Sequence, residues 1–168
     1  MAENNISQLD YLLAEVESWL GTPYSHQASC KGAGADCLGF IRGIYRALFG
    51  CEPETPPPYQ RHASPQEGEI LWQAARQYLR EIEPSESQIG DVLLFRMQPE
   101  LPARHLAILV RDGFMVHAAE GHHVLKTRYG RWWQRRLVSA FRFPLSQPTA
   151  SATLPAAPPA PASETPAP

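Results

Sequence analysis

The pattern of apolar positions changes once along the chain, and the change predicts two kinds of secondary structure. Between Leu9 and Leu20 the apolar residues fall at 9, 12, 13, 16, 19 and 20, which is the spacing of one helix face. Ser7 and Asp10 form a capping box in front of this run, and Gly21 follows it. We therefore predict an amphipathic helix from Leu9 to Leu20.

A second helix is predicted after the loop at 21–36. Cys37 stands at its start and Gly50 at its end, and its apolar stripe consists of Leu38, Ile41, Ile44, Tyr45, Leu48 and Phe49. The helix therefore begins at a cysteine that two glycines precede and a third follows in the segment "KGAGADCLGF".

A third helix is predicted beyond the proline-rich connector "CEPETPPPYQRHA". Ser64 supplies an N-cap, Pro65 a first-turn proline and Glu67 a capping partner, and the helix ends near Arg80.

After "PSESQIGD" the period becomes that of β-strands. Short runs rich in β-branched and aromatic residues are separated by turn residues; they are "VLLFRM", "HLAILV", "FMVHAA", "HVLKTR" and "VSAFRF". We predict a small antiparallel sheet from these runs. Helices that come first and strands that come afterwards define an α+β domain.

Composition divides the chain into two parts. Residues 145–168 are mostly alanine, proline, serine and threonine with Glu164 as the only charge, so they have little to bury and we predict a disordered tail. Residues 1–144 have an ordinary size for one domain with one core.

Charge and hydropathy narrow the function classes. The 15 basic and 17 acidic residues nearly cancel, so there is no electrostatic case for binding nucleic acid or an anionic membrane surface. The N-terminal segment "MAENNISQLD" lacks the basic and apolar regions of a signal peptide, and no run approaches the roughly 20 apolar residues of a membrane span. We expect synthesis in the cytoplasm without an export signal.

Cys37 is the candidate nucleophile. The partial positive charge of a helix N-terminus and a nearby imidazole would both lower the thiol pKa, and the glycines before the cysteine would let a substrate backbone approach closely. The competing interpretation is that Cys37 packs as a small buried apolar side chain. Three cysteines are an odd number and make a poor disulfide framework, which leaves open a single reactive thiol among them.

The candidate base comes from a predicted hairpin in "HLAILVRDGFMVHA". If a type I turn with Gly113 in the left-handed conformation gives a three-residue loop, residue 110 pairs with 114 and residue 107 with 117. His105 then lies diagonally from His117 on one face of the sheet, within reach of its ring. A two-residue loop would place the two histidines on opposite faces. We predict the three-residue loop, with His105 as general base and His117 holding its ring.

Metal binding is the alternative use of these residues, with Cys30, Cys37, His105 and His117 as a Cys2His2 set. The two cysteines are seven positions apart, wider than the tight pairs of structural zinc sites. We therefore expect neither a metal nor another cofactor.

The order of several motifs resembles the NlpC family of papain-like cell-wall cysteine peptidases. "GTPY" precedes "DC", whose Cys37 stands 13 positions after Tyr24; "GDVLLF", "HLAIL" and "VHA" follow, with His117 12 positions after His105. The segments "GTPYSHQAS", "DCLGF", "GDVLLFRM" and "AFRFP" resemble its phage and gene transfer agent branch. The resemblance spans roughly residues 19 to 144.

The resemblance implies a papain-like fold, with N-terminal helices packed on the sheet, and a role for each matching residue. Cys37 matches the nucleophile, His105 the base and His117 the residue that orients the base. Tyr24 matches a tyrosine that stabilises the oxyanion, and Asp36 matches an acid that recognises the substrate's peptide amine or caps the helix. The family usually has serine where Leu38 stands, a departure that bears on substrate specificity.

The implied substrate is the stem peptide of peptidoglycan, cut at an amide next to D-glutamate. Because no export signal is expected, the phage-like resemblance implies action at the cell wall from a particle tail, with tail proteins as partners. The same core could instead run amidase or acyl-transfer chemistry. A non-enzymatic alternative is a degenerate wall-binding or tail structural module.

Overall fold

The structure is a computed structural model that describes residues 7–145. Its helices are α1 (Gln8–Ser18), α2 (Cys37–Phe49), α3 (Ile70–Tyr78) and α4 (Arg131–Gln134). Residues 146–168 lie outside the described part of the chain, so the division into a domain of 1–144 and a disordered tail of 145–168 stays a prediction.

Eight strands form two antiparallel sheets within residues 7–145. The small sheet pairs β1 (Ser29–Cys30) with β2 (Gly34–Ala35). The large sheet has the order β3-β8-β4-β5-β6-β7, and its strands are β3 (Arg80–Ile82), β4 (Val92–Phe95), β5 (His105–Leu109), β6 (Phe114–Ala118), β7 (Val124–Arg128) and β8 (Leu137–Arg142). The predicted α+β class is confirmed.

The first two helices agree with the sequence pattern. The side chain of Ser7 caps α1 by accepting a hydrogen bond from the backbone N–H of Asp10 at 3.1 Å. Asp36 caps α2, and Gly50 ends it in the left-handed conformation at φ 71°. α2 packs against β5 and β6, while α1 packs on α2, and the start of α2 lies at the start of β5.

The predicted start of the third helix is wrong. The helix begins at Ile70, and the Ser64 hydroxyl bonds the Gln66 side chain instead of capping it. Gly68 adopts φ 68° between that turn and the helix, and the Glu67 carboxylate pairs with Arg104. The predicted capping residues therefore do not start the helix, because Gly68 takes the left-handed conformation and Glu67 contacts Arg104, which is distant in sequence.

The strand prediction is confirmed for the five apolar runs, which become β4 to β8. It missed β3, whose three residues pair with β8, so that Glu81 lies opposite Phe141. A strand of three residues is too short to show an alternation of apolar and polar positions, so only its pairing with β8 identifies it.

The predicted register of the β5–β6 hairpin is confirmed, while the predicted turn type is wrong. Ile108 pairs with Val116, and the backbone N–H of Val110 donates to the carbonyl of Phe114 at 2.8 Å. Gly113 is left-handed as expected, but Asp112 also has φ 62°, which a type I turn does not allow. Aspartate tolerates this conformation because its short side chain can bond locally.

Each face of the large sheet carries its own apolar cluster. One cluster joins the sheet to α1 and α2 and contains Trp19, Phe40 and Ile44. The other covers the opposite side with Leu93, Phe95 and Met115, and Trp133 packs against it. Within residues 7–145, no helix combines the length and apolar character needed to cross a membrane.

Candidate active site

The thiol of Cys37 lies against the backbone on either side of His105. Its Sγ donates to the carbonyl of Arg104 at 3.5 Å, and the backbone N–H of Leu106 approaches the same sulfur. The first residue of α2 and the first residue of β5 therefore meet at one place, which brings the predicted nucleophile to the backbone beside the predicted base.

A hydrogen-bonded chain leads away from His105 through two further side chains. His105 Nε2 lies 2.9 Å from His117 Nδ1, and His117 Nε2 lies 3.0 Å from the Thr127 hydroxyl. His117 pairs with Leu125 across β6 and β7, so Thr127 is its diagonal neighbour on the same face. Thr127 was missed by the sequence analysis; the polar residue at this place in "HVLKTR" is the signal that could have found it.

Proton placement along this chain decides whether His105 can act as a base. A base at Nδ1 must have its proton on Nε2, which then donates to His117 Nδ1. His117 must then carry its own proton on Nε2 and donate to the Thr127 oxygen. Thr127 as acceptor is therefore the arrangement that leaves a free lone pair on His105.

We expect Thr127→Val to lower the rate of catalysis roughly tenfold, because valine keeps the shape and removes the hydrogen bond that selects this His117 tautomer. Thr127→Ser keeps the hydroxyl and should stay near the wild-type rate. The measurement is kcat and KM for both variants together with their melting temperatures. An equal loss in both variants would contradict the tautomer role.

An aromatic ring packs against both histidines. Trp133 stacks on His105 with ring centroids 5.5 Å apart and planes 27° apart, and it meets His117 edge-on at 5.2 Å. Burial, followed by repulsion from His117, lowers the pKa of His105 to about 3, and burial lowers the pKa of His117 to about 4. Both imidazoles are therefore neutral at neutral pH.

The thiol is also neutral, contrary to the expected low pKa. Burial, followed by the charge of Asp36, raises the pKa of Cys37 to about 11 and outweighs the opposing effect of the backbone N–H groups of Leu106 and Leu38. The thiol accordingly donates its hydrogen to a carbonyl. The thiol and both imidazoles are therefore uncharged in the free protein at neutral pH.

Alkylation by iodoacetamide tests this resting state. At pH 7 we expect Cys37 to react about a hundredfold more slowly than an ordinary exposed thiol, because a pKa two units higher leaves that much less thiolate. Its rate should rise about tenfold for each unit from pH 7 to 10. The measurement is mass spectrometry of each cysteine, with exposed Cys30 and Cys51 as internal references. Fast labelling of Cys37 below pH 8 would indicate an ion pair with His105.

Tyr24 lies beside the thiol as an available donor. Burial is the largest cause that raises its pKa to about 12, and the charge of Cys37 is the next. The cation of Arg61 lies 5.9 Å from the centroid of the Tyr24 ring. A hydroxyl that stays protonated can donate to an oxyanion formed at the sulfur's reaction partner.

Asp36 is a buried N-cap with both oxygens occupied. It is 3% exposed; Oδ1 accepts from the Gly39 N–H at 2.7 Å, and Oδ2 accepts from the Gln27 N–H at 2.7 Å and from the Tyr59 hydroxyl at 2.5 Å. His26 Nδ1 lies 3.6 Å away from Oδ2. Recognition of a substrate amine by Asp36 stays a prediction that requires Tyr59 to leave.

The glycines around Cys37 serve the protein's own packing. A Cβ at Gly39 would lie 1.8 Å from the carbonyl oxygen of Ala28, and one at Gly34 would lie 2.8 Å from Cβ of Ser25. The start of α2 is therefore pressed against the loop before it. These close contacts within the protein explain why both positions are glycine, without the expected approach of a substrate backbone.

The alternative Cys2His2 set has no geometric support. Among residues 7–145, no three side chains of the His, Cys, Asp and Glu types come together as metal ligands. Cys30 is exposed on β1, while the two histidines hydrogen-bond each other and His117 hydrogen-bonds Thr127.

The fold and this site belong to a known family. The model of the NlpC/P60 family matches residues 21–142, most of the chain, and the chain belongs to this family of peptidoglycan hydrolases, which are generally cysteine peptidases. By sequence, no curated protein matched the chain.

Solved structures of the same fold include a catalytic and a non-catalytic relative. The NlpC/p60 domain of the peptidoglycan hydrolase SagA is 24% identical (TM-score 0.54; 79% of this chain, 96% of that one). The peptidoglycan hydrolase RipB from Mycobacterium tuberculosis is 17% identical (TM-score 0.54; 80% and 64%). RipD from the same organism, described as a non-catalytic NlpC/p60 domain protein adapted to peptidoglycan binding, is 16% identical (TM-score 0.55; 83% and 98%). The fold alone therefore does not decide activity.

Proposed function

We propose that this chain is a cysteine endopeptidase that hydrolyses an amide bond of peptidoglycan stem peptides near D-glutamate. The observation that carries the proposal is the chain from His105 through His117 to Thr127, at the point where the backbone flanking His105 meets the thiol of Cys37. A purely structural domain has no need for two neutral imidazoles joined in this way.

The proposed reaction begins with transfer of the thiol proton to His105 Nδ1 as Sγ attacks the scissile carbonyl carbon. His117 accepts the hydrogen bond from Nε2 and stabilises the imidazolium as it forms. The Tyr24 hydroxyl and a backbone N–H near the start of α2 donate to the carbonyl oxygen as it gains charge. His105 then gives the proton to the departing amine, leaving a thioester on Cys37.

Water completes the proposed cycle. His105, neutral again, takes a proton from water as the water oxygen attacks the thioester carbon, and the thiolate leaves and recovers that proton. Because the His105 pKa is depressed, the imidazolium is a strong acid and returns its proton readily. No other protein group needs to change its protonation state.

Asp36 has a proposed second role in substrate recognition. Its carboxylate could accept a peptide amine only after the Tyr59 hydroxyl has left Oδ2, because Oδ1 is held by the helix start. Movement of the connector that carries Tyr59 would therefore accompany this recognition.

The test is digestion of defined muropeptides, with products identified by mass spectrometry. A new amine within the stem peptide supports the endopeptidase, whereas a peptide released from the lactyl group would assign amidase activity. Retained wall binding without cleavage by the wild-type chain would support the non-catalytic alternative, for which RipD is a precedent of the same fold.

The setting we propose is the tail of a phage-like particle that opens the cell wall locally. Its support is the resemblance of "GTPYSHQAS", "DCLGF", "GDVLLFRM" and "AFRFP" to the phage and gene transfer agent branch. Mass spectrometry of purified particles should find the chain together with tail proteins. Particles from a producing strain that lack the chain would contradict this setting.

A further inference from the structure

Two neighbouring cavities share part of their walls, and the larger one opens at Cys37. The larger, of about 260 Å³, reaches from Cys37 and Arg104 to the proline-rich connector. The smaller, of about 80 Å³, lies between α2 and α3 and is lined almost wholly by carbon. Leu38, Leu71 and Ala74 line both cavities, so the smaller one continues the larger one past the residue that follows the nucleophile.

Helix α3 turns its apolar face to this space without filling it. Leu71, Ala74, Ala75 and Tyr78 follow the spacing of one helix face, and all four line the smaller cavity. None of the residues of α3 is fully buried. Unfilled apolar space lowers stability because its walls lack contact partners, so a ligand that fills it gains those contacts.

The charged groups around the cavities are already paired within the protein. Arg104 pairs with Glu67 at 2.8 Å and donates to the Gln60 carbonyl at 2.9 Å. Glu54 accepts from the Tyr78 hydroxyl at 2.5 Å. A charged substrate group would have to break one of these pairs, whereas an apolar group meets the surface as it stands.

Arg42 belongs to the same set of paired groups. Its guanidinium pairs with Glu52, and its Nε, which has no partner within residues 7–145, is buried and does not reach the cavity surface. The smaller cavity therefore presents no free donor or acceptor to a ligand.

We propose that this cleft is a binding subsite for an apolar group of the substrate, adjacent to the bond that Cys37 attacks. The proposal deepens the proposed function, since it takes Cys37 as the nucleophile. An apolar cavity of about 150 Å³ holds benzene, so a cavity of about 80 Å³ has room for a small aliphatic group. Leu38, in the wall between the cavities, selects against an acidic group at this position.

The test uses thiol reagents that differ only in the group presented to the cleft. Intact protein is treated at pH 9 with iodoacetamide, N-isobutyl iodoacetamide or N-iodoacetyl glycine, and labelling of each cysteine is measured by mass spectrometry. Exposed Cys30 and Cys51 correct for the intrinsic reactivity of each reagent. We expect the isobutyl group to raise the ratio of Cys37 to Cys30 labelling at least tenfold, since two buried methylenes suffice for that factor. The carboxylate should lower the ratio.

Two substitutions on α3 locate the effect. Ala74→Phe fills the cleft and should remove the isobutyl preference, while Gln73→Phe adds the same ring on the exposed face of α3 and should leave it intact. Leu38→Ser should reduce the preference without filling the cleft. If Ala74→Phe lowers the melting temperature, Ala75→Leu takes its place as the filling variant.

A ratio unchanged by the isobutyl group, a preference for the carboxylate, or a preference that survives filling of the cleft would overturn the proposal. Labelling of Cys37 does not require amide hydrolysis. Loss of the preference in a chain that cleaves muropeptides therefore removes only the subsite, and a preference in a chain that cleaves nothing removes only the proposed function.

Discussion

Replacing Cys37 by alanine is expected to abolish hydrolysis of stem peptides, with a loss of roughly 10⁴–10⁶-fold in kcat/KM. The thiol supplies the bond-forming atom, and no other described side chain occupies its place between α2 and β5. The loss should appear in single-turnover and steady-state assays alike. The melting temperature should stay within a few degrees of wild type, because the exchange removes one half-buried sulfur.

The matched control is Cys30→Ala. Cys30 is an exposed cysteine on β1, only seven positions away, and its loss should leave the rate unchanged. Full activity of Cys37→Ala would show that a different group carries the reaction. Loss of activity in Cys30→Ala as well would indicate instead that the hairpin of β1 and β2 is needed to hold the start of α2.

Replacing His105 by alanine is the second change of large expected effect, with a loss of roughly 10²–10⁴-fold. The thiol pKa is raised to about 11, so without a base almost no thiolate forms at neutral pH. The residual rate should therefore climb with pH, about tenfold per unit up to pH 10, as hydroxide replaces the missing imidazole.

Chemical rescue separates a base from a packing role in this variant. Added imidazole should restore part of the His105→Ala rate, because the space left beside Trp133 is the size of the lost ring. His62→Ala removes an exposed histidine of the connector and serves as the control. If the rate of His105→Ala changes neither with added imidazole nor with pH, His105 only supports the fold.

Local patterns gave correct predictions where a residue's neighbours in sequence are its neighbours in space. The stripe of α2 and the single turn between β5 and β6 are of this kind, and Gly113 sets the register that brings His105 to His117. The base and its orienting partner could therefore be placed from sequence, because one short hairpin carries both.

The rest of the site depends on contacts between distant segments. Thr127 reaches His117 only through the pairing of β6 with β7, and Tyr59 reaches Asp36 from the connector, 23 positions away. The thiol pKa also depends on distant segments. The position at the helix start predicted a low pKa, but burial by the surrounding segments raises it. Burial is a property of the assembled fold and has no local period in the sequence.

The raised pKa of Cys37 has a consequence for how long the molecule remains usable. Thiolates, not neutral thiols, attack peroxides and disulfides, so the half-buried neutral thiol of Cys37 oxidises slowly, whereas exposed Cys30 and Cys51 meet the oxidant first. In the proposed setting outside a reducing cytoplasm, the two exposed cysteines would be consumed sacrificially. The nucleophile would stay reduced until a substrate and His105 together release its proton.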